Sequence, residues 1–260
     1  MGWGMCLRIV ALSGLLALAV SPVHGQEAPA RMRFCSIDVD YPPYAMVDGS
    51  GHLQYLLAQA AGSLGVQLER RIAPRRRCVE ELKTGMVDVM MGAYSRERAE
   101  YAVFPMAGGQ ADESKSLATP RYYVYRRKGT SLRWDGQRMT GQGDGKIGVE
   151  SGFTFIIERL QQLQLAYDDG SKSLELNFAK LAAGRLEGVI AMEAEAEKLI
   201  ARRYAGQLER SAKPFEQTPL YLMLSRSFQA RHPDFPARLW QALQDQRSSA
   251  DYRHYQRSHP

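Results

Sequence analysis

The chain has 260 residues, and its 34 Lys and Arg residues against 28 Asp and Glu residues give a formal net charge of +6. The basic residues are dispersed apart from three short runs (70–71, 75–77 and 126–128), and neither an aromatic-interleaved basic face nor a nucleic-acid-binding motif accompanies them. We therefore expect no nucleic-acid partner, and the length suits two lobes of ordinary size.

Residues 1–25 have the order of a secretory signal peptide. Arg8 precedes an apolar stretch from Ile9 to Val20, and Pro22 and small residues follow before Gln26. The apolar stretch is too short to span a membrane, and no other segment approaches that length. We therefore expect residues 1–25 to be removed and the mature protein to be exported.

Export leaves two cysteines, Cys35 and Cys78. In an oxidising compartment an isolated pair predicts one disulfide, and closing so long a loop would stabilise the fold by roughly 3–4 kcal/mol in the chain-entropy model. The alternative is two free or metal-binding thiols.

The first half of the mature chain reads as alternating strands and helices. Alternation over 32–40 predicts a strand, which ends at the rigid turn Tyr41-Pro42-Pro43-Tyr44. Next come a helix over 52–64, a strand over 66–72, a helix over 77–84 and a strand over 86–91. This β-α-β-α-β order predicts parallel strands joined by right-handed crossovers.

The turn at 95–98, the pair Phe104-Pro105 and a strand come next, and a second half that opens at Lys146 repeats this organisation. The predicted elements are a strand over 122–126, a strand over 146–149, a helix over 153–163, a brief strand over 174–176, a helix over 178–183 and a strand over 189–192. After a strand over 220–224, terminal helices carry Phe235, Leu239, Trp240 and Leu243 on one face. This tail has no counterpart in the second half. We therefore expect lobe 1 over 30–118 and 216–260, and lobe 2 over 119–215.

One pattern occurs in both halves. Leu82-x-x-Gly85-x-x-Asp88 and Leu181-x-x-Gly184-x-x-Glu187 each end a helix-like stretch and lead into a short apolar run. The glycine falls where a helix terminus needs a positive φ. Two similar α/β halves predict a cleft between them, and clefts are where small ligands bind.

Six motifs occur in a set order behind the signal-like segment: Asp40-Tyr41-Pro42-Pro43-Tyr44, Leu82-x-x-Gly85-x-x-Asp88, Ser95-x-x-Arg98 before Phe104-Pro105, Gly148-Val149-x-x-Gly152-x-Thr154, Leu181-x-x-Gly184-x-x-Glu187, and Tyr221-x-x-x-Ser225. In this order they resemble the type II periplasmic solute-binding proteins, specifically the polar amino-acid-binding branch (bacterial extracellular solute-binding protein family 3). The resemblance implies an α/β fold of two lobes, each with a mostly parallel central sheet flanked by helices. It also implies a periplasmic monomer that binds a small polar ligand in the cleft and delivers it to a membrane ABC permease.

The resemblance also assigns site residues. Arg98 would pair bidentately with a ligand carboxylate, and backbone N–H groups near Ser95 and near the helix start at Thr154 would complete an anion site. Tyr41 and Tyr44 would form the apolar wall. The alternatives are an ordinary surface arginine and tyrosines that only pack.

Three positions depart from the family pattern. Met192, followed by Glu193, stands where relatives usually carry an aspartate for the ligand ammonium, and neighbouring residues on a regular strand point to opposite faces. Phe153 replaces a common threonine, and Arg75 replaces a frequent aromatic residue. We therefore hypothesise a ligand with extra negative charge or without an α-ammonium, such as an acidic amino acid or a small organic acid. The alternative is that Arg75 is solvated and that Glu193 or Glu195 binds the ammonium.

Two other functions stay open. The scaffold resembles cyclohexadienyl (arogenate) dehydratases, for which Glu150, Glu193 and Glu195 are candidate acids, although no spacing singles one out. A stand-alone ligand-sensing module is the other. The scattered histidines form no helical pair, so we expect no metal and no other cofactor.

Overall fold

The computed structural model describes residues 1–3, 28–171 and 173–259. The expected signal peptide, residues 1–25, therefore lies almost entirely outside the described residues. Among the helices that are described, none combines the length and apolar character needed to cross a membrane.

Alternating apolar residues and helical repeats build the predicted β-α-β-α-β order up to the strand Val89–Ala93, and short elements that the sequence did not predict follow it. In chain order the first part of the chain forms β1 (Arg31–Ile37), α1 (His52–Ser63), β2 (Gln67–Ala73), α2 (Arg75–Thr84), β3 (Val89–Ala93), α3 (Arg96–Tyr101), β4 (Ala102–Val103), β5 (Met106–Ala107), β6 (Gln110–Ala111) and a 3-10 turn (Glu113–Lys115).

The second part of the chain contains the remaining elements. They are β7 (Arg121–Arg127), β8 (Arg133–Trp134), β9 (Met139–Thr140), β10 (Ile147–Glu150), α4 (Thr154–Gln162), β11 (Tyr167–Ser171), α5 (Leu174–Ala182), β12 (Gly188–Met192), α6 (Glu193–Leu199), a π turn (Ile200–Tyr204), β13 (Leu208–Arg210) and β14 (Glu216–Gln217). The last four are β15 (Leu220–Ser225), α7 (Arg226–Arg231), α8 (Phe235–Arg247) and α9 (Ala250–Ser258).

Two mixed sheets divide these elements into two lobes. The sheet of lobe 1 has the strand order β2-β1-β3-β15-β4, and that of lobe 2 has the order β11-β10-β12-β7-β13, with β14 also paired to β7. The βαβ units give parallel pairs, as predicted (β1 with β2 and β3, β10 with β11 and β12). The strands that follow a passage between the lobes, β7 and β15, run antiparallel to their neighbours.

The chain passes between the lobes twice, just before β7 and just before β15. The two passages are themselves paired, because Leu117 N donates to Leu220 O at 2.7 Å and Leu220 N donates to Ala118 O at 2.8 Å. After the second passage the tail packs on lobe 1, where Phe235, Leu239 and Leu243 of α8 join the core that includes the buried leucines of α1.

One predicted element has the wrong type, and the strand predicted over 86–91 runs instead over Val89–Ala93. The segment 174–176 is not a strand but the first turn of α5, and Ser173 caps this helix by accepting a hydrogen bond from Leu176 N. The strand of this region is β11, whose sequence Tyr-Asp-Asp-Gly-Ser has little apolar character because it lies at the edge of the lobe 2 sheet. A short run of leucines cannot by itself distinguish a strand from a helix start.

The two repeated glycines and the two cysteines have the predicted structure. Gly85 and Gly184 both have φ of +73°, immediately after α2 and close after α5. Cys35 of β1 and Cys78 of α2 form a disulfide with a Cα–Cα distance of 5.6 Å. The disulfide ties the central part of the lobe 1 sheet to the helix that carries Arg75.

Candidate interlobe binding site

The candidate residues lie at the carboxyl ends of the parallel strands of both sheets, where α/β folds place their ligands. In lobe 1, Tyr41 and Tyr44 follow β1, Arg75 follows β2, and Ser95 and Arg98 follow β3. In lobe 2, Glu150 ends β10, Phe153 and Thr154 lie at the start of α4, and Met192 and Glu193 join β12 to α6.

Arg98 is held in place by local contacts. Its backbone N–H donates to the Oγ of Ser95 at 3.1 Å, which caps α3, and its Nη1 donates to Ala93 O at 2.8 Å. These contacts fix the guanidinium beside the end of β3 and leave most of its N–H groups uncommitted. No carboxylate of the described residues forms an ion pair with it.

Arg75 is the second arginine of the lobe 1 wall, two strands away from Arg98 in the sheet. As a residue it is exposed, but protein atoms crowd its guanidinium, so burial and then the positive charge of Arg98 lower its pKa. The hydroxyls of Tyr41, Tyr101 and Tyr122 lie close enough to act in the opposite direction. Arg75 likewise has no carboxylate partner within the described part of the chain. The lobe 1 wall therefore presents two positive charges that influence each other and have no carboxylate partner in the described residues.

Aromatic side chains join the two lobes at the base of the cleft. The hydroxyls of Tyr41 and Tyr122 are hydrogen-bonded at 2.6 Å, and Tyr122 is only 2% exposed. Tyr44 packs against the cores of both lobes. Phe153 and Phe155 contact the Tyr122 ring at centroid distances of 5.9 and 5.2 Å. Burial raises the pKa of Tyr41 to about 12 and also raises that of Tyr122.

Glu193 has both carboxylate oxygens engaged. Its Oε2 pairs with Arg121 Nε at 3.0 Å, and its Oε1 pairs with Arg210 Nη1 at 2.8 Å. The preceding residue, Met192, is 5% exposed and packs in the lobe 2 core with Tyr122 and Ile190. The end of β12 therefore offers a thioether and a neutralised carboxylate.

Glu150 faces a different environment. It lines a small recess with Tyr122, Phe153 and Met192. Burial, followed by the negative charges of Glu195 and Glu175, raises its pKa to about 7, while the backbone N–H of Leu174 acts in the opposite direction. The pKa of Glu195 is raised as well, mainly by burial. A carboxyl group in this state is available both as a hydrogen-bond donor and as an acceptor near neutral pH.

The structure thus brings Tyr41, Tyr44, Arg75, Ser95 and Arg98 to one edge of lobe 1. It places the backbone of Thr154 at the start of α4 on the facing edge of lobe 2, and it turns Glu193 toward two arginines. The sequence did not indicate Tyr122 or Phe155. Tyr122 lies in the predicted strand. The face to which its side chain points depends on the register between β7 and β12. The sequence pattern of β7 alone does not give that register.

The described residues contain no group of three or more His, Cys, Asp or Glu side chains arranged to hold a metal ion. The candidate residues of the site supply guanidinium, carboxyl, hydroxyl and aromatic groups.

No family model and no curated protein sequence matches this chain. Solved structures match over almost the whole chain. The ligand-binding core of GluR0 from Nostoc punctiforme, in complex with L-glutamate, is 12% identical and covers 88% of this chain and 98% of its own, with a TM-score of 0.62. A histidine kinase sensor domain with similarity to periplasmic binding proteins is 17% identical, covers 88% and 95%, and has a TM-score of 0.59.

A third similar structure is the L-cystine solute receptor of Neisseria gonorrhoeae in its unliganded open conformation. It is 14% identical, covers 88% of this chain and 92% of its own, and has a TM-score of 0.60. At these identities the likeness concerns the fold. The chain has the two-lobed, Venus-flytrap fold of type II periplasmic-binding-protein-like domains, as the sequence motifs predicted.

Proposed function

We propose that this chain is an exported, periplasmic solute-binding protein that captures a small polar solute bearing a carboxylate between its lobes and delivers it to a membrane ABC permease. The observation that carries the proposal is the guanidinium of Arg98, which is fixed by Ala93 O at the cleft edge and has no carboxylate partner among the described residues. A planar guanidinium in this state is suited to bidentate binding of a carboxylate.

Each candidate residue has a role in this proposal. Arg98 binds the ligand carboxylate, Ser95 holds the turn that carries Arg98, and Arg75 adds positive charge. Tyr41 and Tyr44 form the apolar wall. Backbone N–H groups at the start of α4, near Thr154, face the ligand from lobe 2. Glu193 shapes the lobe 2 wall through its pairs with Arg121 and Arg210.

A thermal-shift screen of amino acids and organic acids on refolded, ligand-free mature protein tests the proposal. A ligand at about 100 times its Kd stabilises the folded state by about 2.7 kcal/mol. The hit is then titrated by calorimetry against Arg98→Gln, with Arg96→Gln as the matched control, because Arg96 is an exposed arginine on the same short helix. Loss of a charge-assisted pair should weaken binding by about 10- to 100-fold in Arg98→Gln only. Equal binding to both variants would overturn the role of Arg98.

Delivery to a permease is tested separately in cells. Deleting the gene should abolish high-affinity uptake of the radiolabelled ligand, and re-expression should restore it. Intact uptake together with ligand binding by the purified protein would instead identify a sensing module, the role of one of the similar structures.

One observation favours an enzyme as the second candidate. The carboxyl group of Glu150 lies in a recess at the cleft edge with a pKa raised to about 7, which suits a general acid near neutral pH. Ultraviolet detection of an aromatic product formed from a cyclohexadienyl acid, and its loss in Glu150→Gln, would establish this activity. Absence of product together with tight, non-reactive binding of another ligand would support the binding protein.

A further inference from the structure

We infer that the ligand of this cleft is a compact dianion without an ammonium group, a small dicarboxylate whose negative charges are shared by Arg75 and Arg98. The inference rests on the proposed binding function and specifies its ligand class.

The first step is the charge of the lobe 1 wall. Several other arginines of lobe 1 form ion pairs with carboxylates. Arg33 pairs with Asp88, and both Arg71 and Arg77 pair with Glu81. Arg75 and Arg98 lie at the carboxyl ends of β2 and β3, on either side of β1, and have no such partner in the described residues. They lie near enough for the charge of Arg98 to disfavour that of Arg75. A dianion neutralises both guanidiniums, whereas a monocarboxylate leaves one positive charge uncompensated.

The second step is what closure of the cleft does to these charges. Tyr41 already bonds to Tyr122 across the lobes, and the rings of Tyr44, Phe153 and Phe155 lie around that contact. A ligand enclosed beside this aromatic surface is removed from water together with the guanidiniums that bind it. Burying an uncompensated charge is costly, so closure around a ligand favours exact neutralisation of the arginine pair.

The third step is the lobe 2 wall, which lacks a free site for an ammonium at the end of β12. Met192 is apolar and buried, and both oxygens of Glu193 are taken by Arg121 and Arg210. Glu150 is the carboxyl group that lines the recess beside Met192. Its neighbours Glu175 and Glu195 are also acidic and favour its protonated form, in which it donates a hydrogen bond to a ligand carboxylate.

Calorimetry with two matched ligand series tests the inference. The four-carbon series is succinate, aspartate and butyrate, and the five-carbon series is glutarate, glutamate and pentanoate. Within the series of better-fitting length, we expect the dicarboxylate to bind at least 10-fold more tightly than both the amino acid and the monocarboxylate. Tighter binding of aspartate or glutamate would show that a carboxyl group, such as that of Glu150, accepts the ammonium, and would overturn the inference.

Variants at two neighbouring arginines locate the effect. Arg75→Gln should weaken binding of the dicarboxylate about 10- to 100-fold, the loss of one charge-assisted pair, and change binding of the monocarboxylate much less. Arg76→Gln is the matched control, because Arg76 is the next residue of α2 and is exposed. Thermal melts of both variants check that each is folded. An unchanged dicarboxylate Kd in Arg75→Gln would overturn the inference.

The outcomes separate this inference from the proposed function. If no member of either series binds, but another amino acid binds and depends on Arg98, then the dianion inference fails and the proposed function stands. If no carboxylate ligand of the thermal-shift screen binds, then the proposed function fails as well.

Discussion

The surroundings of Glu150 disfavour its negative charge. An ordinary glutamate has a pKa of 4.5, and that of Glu150 is raised to about 7, first by burial and then by Glu195 and Glu175. Because the folded state holds this proton more tightly than the unfolded state, the contribution of Glu150 to stability is most favourable below pH 4.5. It is lost progressively as the pH rises through about 7.

Glu150→Gln should therefore stabilise the protein at pH 8 and have little effect at pH 4.5. Glutamine keeps the shape of the side chain and cannot ionise, so its burial incurs no cost for a charge. Since Glu150 is partly exposed to solvent, we expect a gain on the order of 1–2 kcal/mol at pH 8. Urea unfolding of the wild type and the variant at both pH values measures it. Glu158→Gln, at an exposed position of α4, is the control, and an equal gain at both pH values would contradict the assignment.

The contacts of the candidate site residues were predictable where the two partners are close in the sequence. Ser95 and Arg98 are three positions apart, and the hydrogen bond between them is part of the motif that pointed to Arg98. The partners of Glu193 are 72 and 17 positions away, so no local pattern could indicate that its carboxylate is neutralised. The same holds for Tyr122, whose hydroxyl partner is 81 positions away.

At the scale of elements, the two repeated helix ends share a backbone conformation but differ in surroundings. Gly85 and Gly184 both have φ of +73°, where an L side chain is strained. A Cβ at Gly85 would lie 2.1 Å from Ser227 Oγ, whereas at Gly184 the nearest atom, Arg127 Nη1, would be 3.6 Å away. Gly184 is therefore constrained by its dihedral angles alone, and Gly85 by its dihedral angles and by packing.

We expect Gly184→Ala to cost about 1–2 kcal/mol, the strain of the left-handed conformation, and Gly85→Ala to cost clearly more. Ser227→Ala in the Gly85→Ala background should recover part of the difference, because it removes the clashing oxygen. Free energies of unfolding of the two single variants, Ser227→Ala and the double variant complete the cycle. The idea is contradicted if the two glycine substitutions lower the free energy of unfolding equally, or if Ser227→Ala restores none of the loss. Either result would show that the Cβ at position 85 avoids Ser227 without an energetic cost.

Elements with a clear apolar pattern were predicted correctly. The one element predicted with the wrong type has a physical explanation. Helix α1 and strand β12 carry strong apolar periodicity or a continuous apolar run, and they lie within one or two residues of their predicted bounds. At 174–176 the alternating leucines imitated a strand, although Ser173 supplies the hydroxyl that caps α5. The true strand, β11, pairs on one edge only, so its polar sequence carries no apolar signal.

At the scale of the whole molecule, the relation between the lobes depends on the two paired passages and on the aromatic contact beside them. Tyr122 lies in β7 directly after the first passage, and within the described chain its hydroxyl bonds only to Tyr41. Tyr41 belongs to lobe 1, so this hydrogen bond closes the base of the cleft. Opening the lobes would break this hydrogen bond and expose both hydroxyls to water.

Tyr41→Phe should therefore shift the ligand-free protein toward an open arrangement. The variant leaves the buried hydroxyl of Tyr122 without a partner in the closed arrangement, at a cost of about 1–3 kcal/mol, and opening removes that cost. Small-angle X-ray scattering should record a larger radius of gyration than in the wild type.

The double variant Tyr41→Phe/Tyr122→Phe removes both polar groups and should return toward the wild-type value. Tyr167→Phe, which loses only an exposed hydrogen bond with Gln161, is the control. Superimposable scattering of Tyr41→Phe and the wild type, or a double variant more open than the single one, would show that the tyrosine pair does not hold the lobes together.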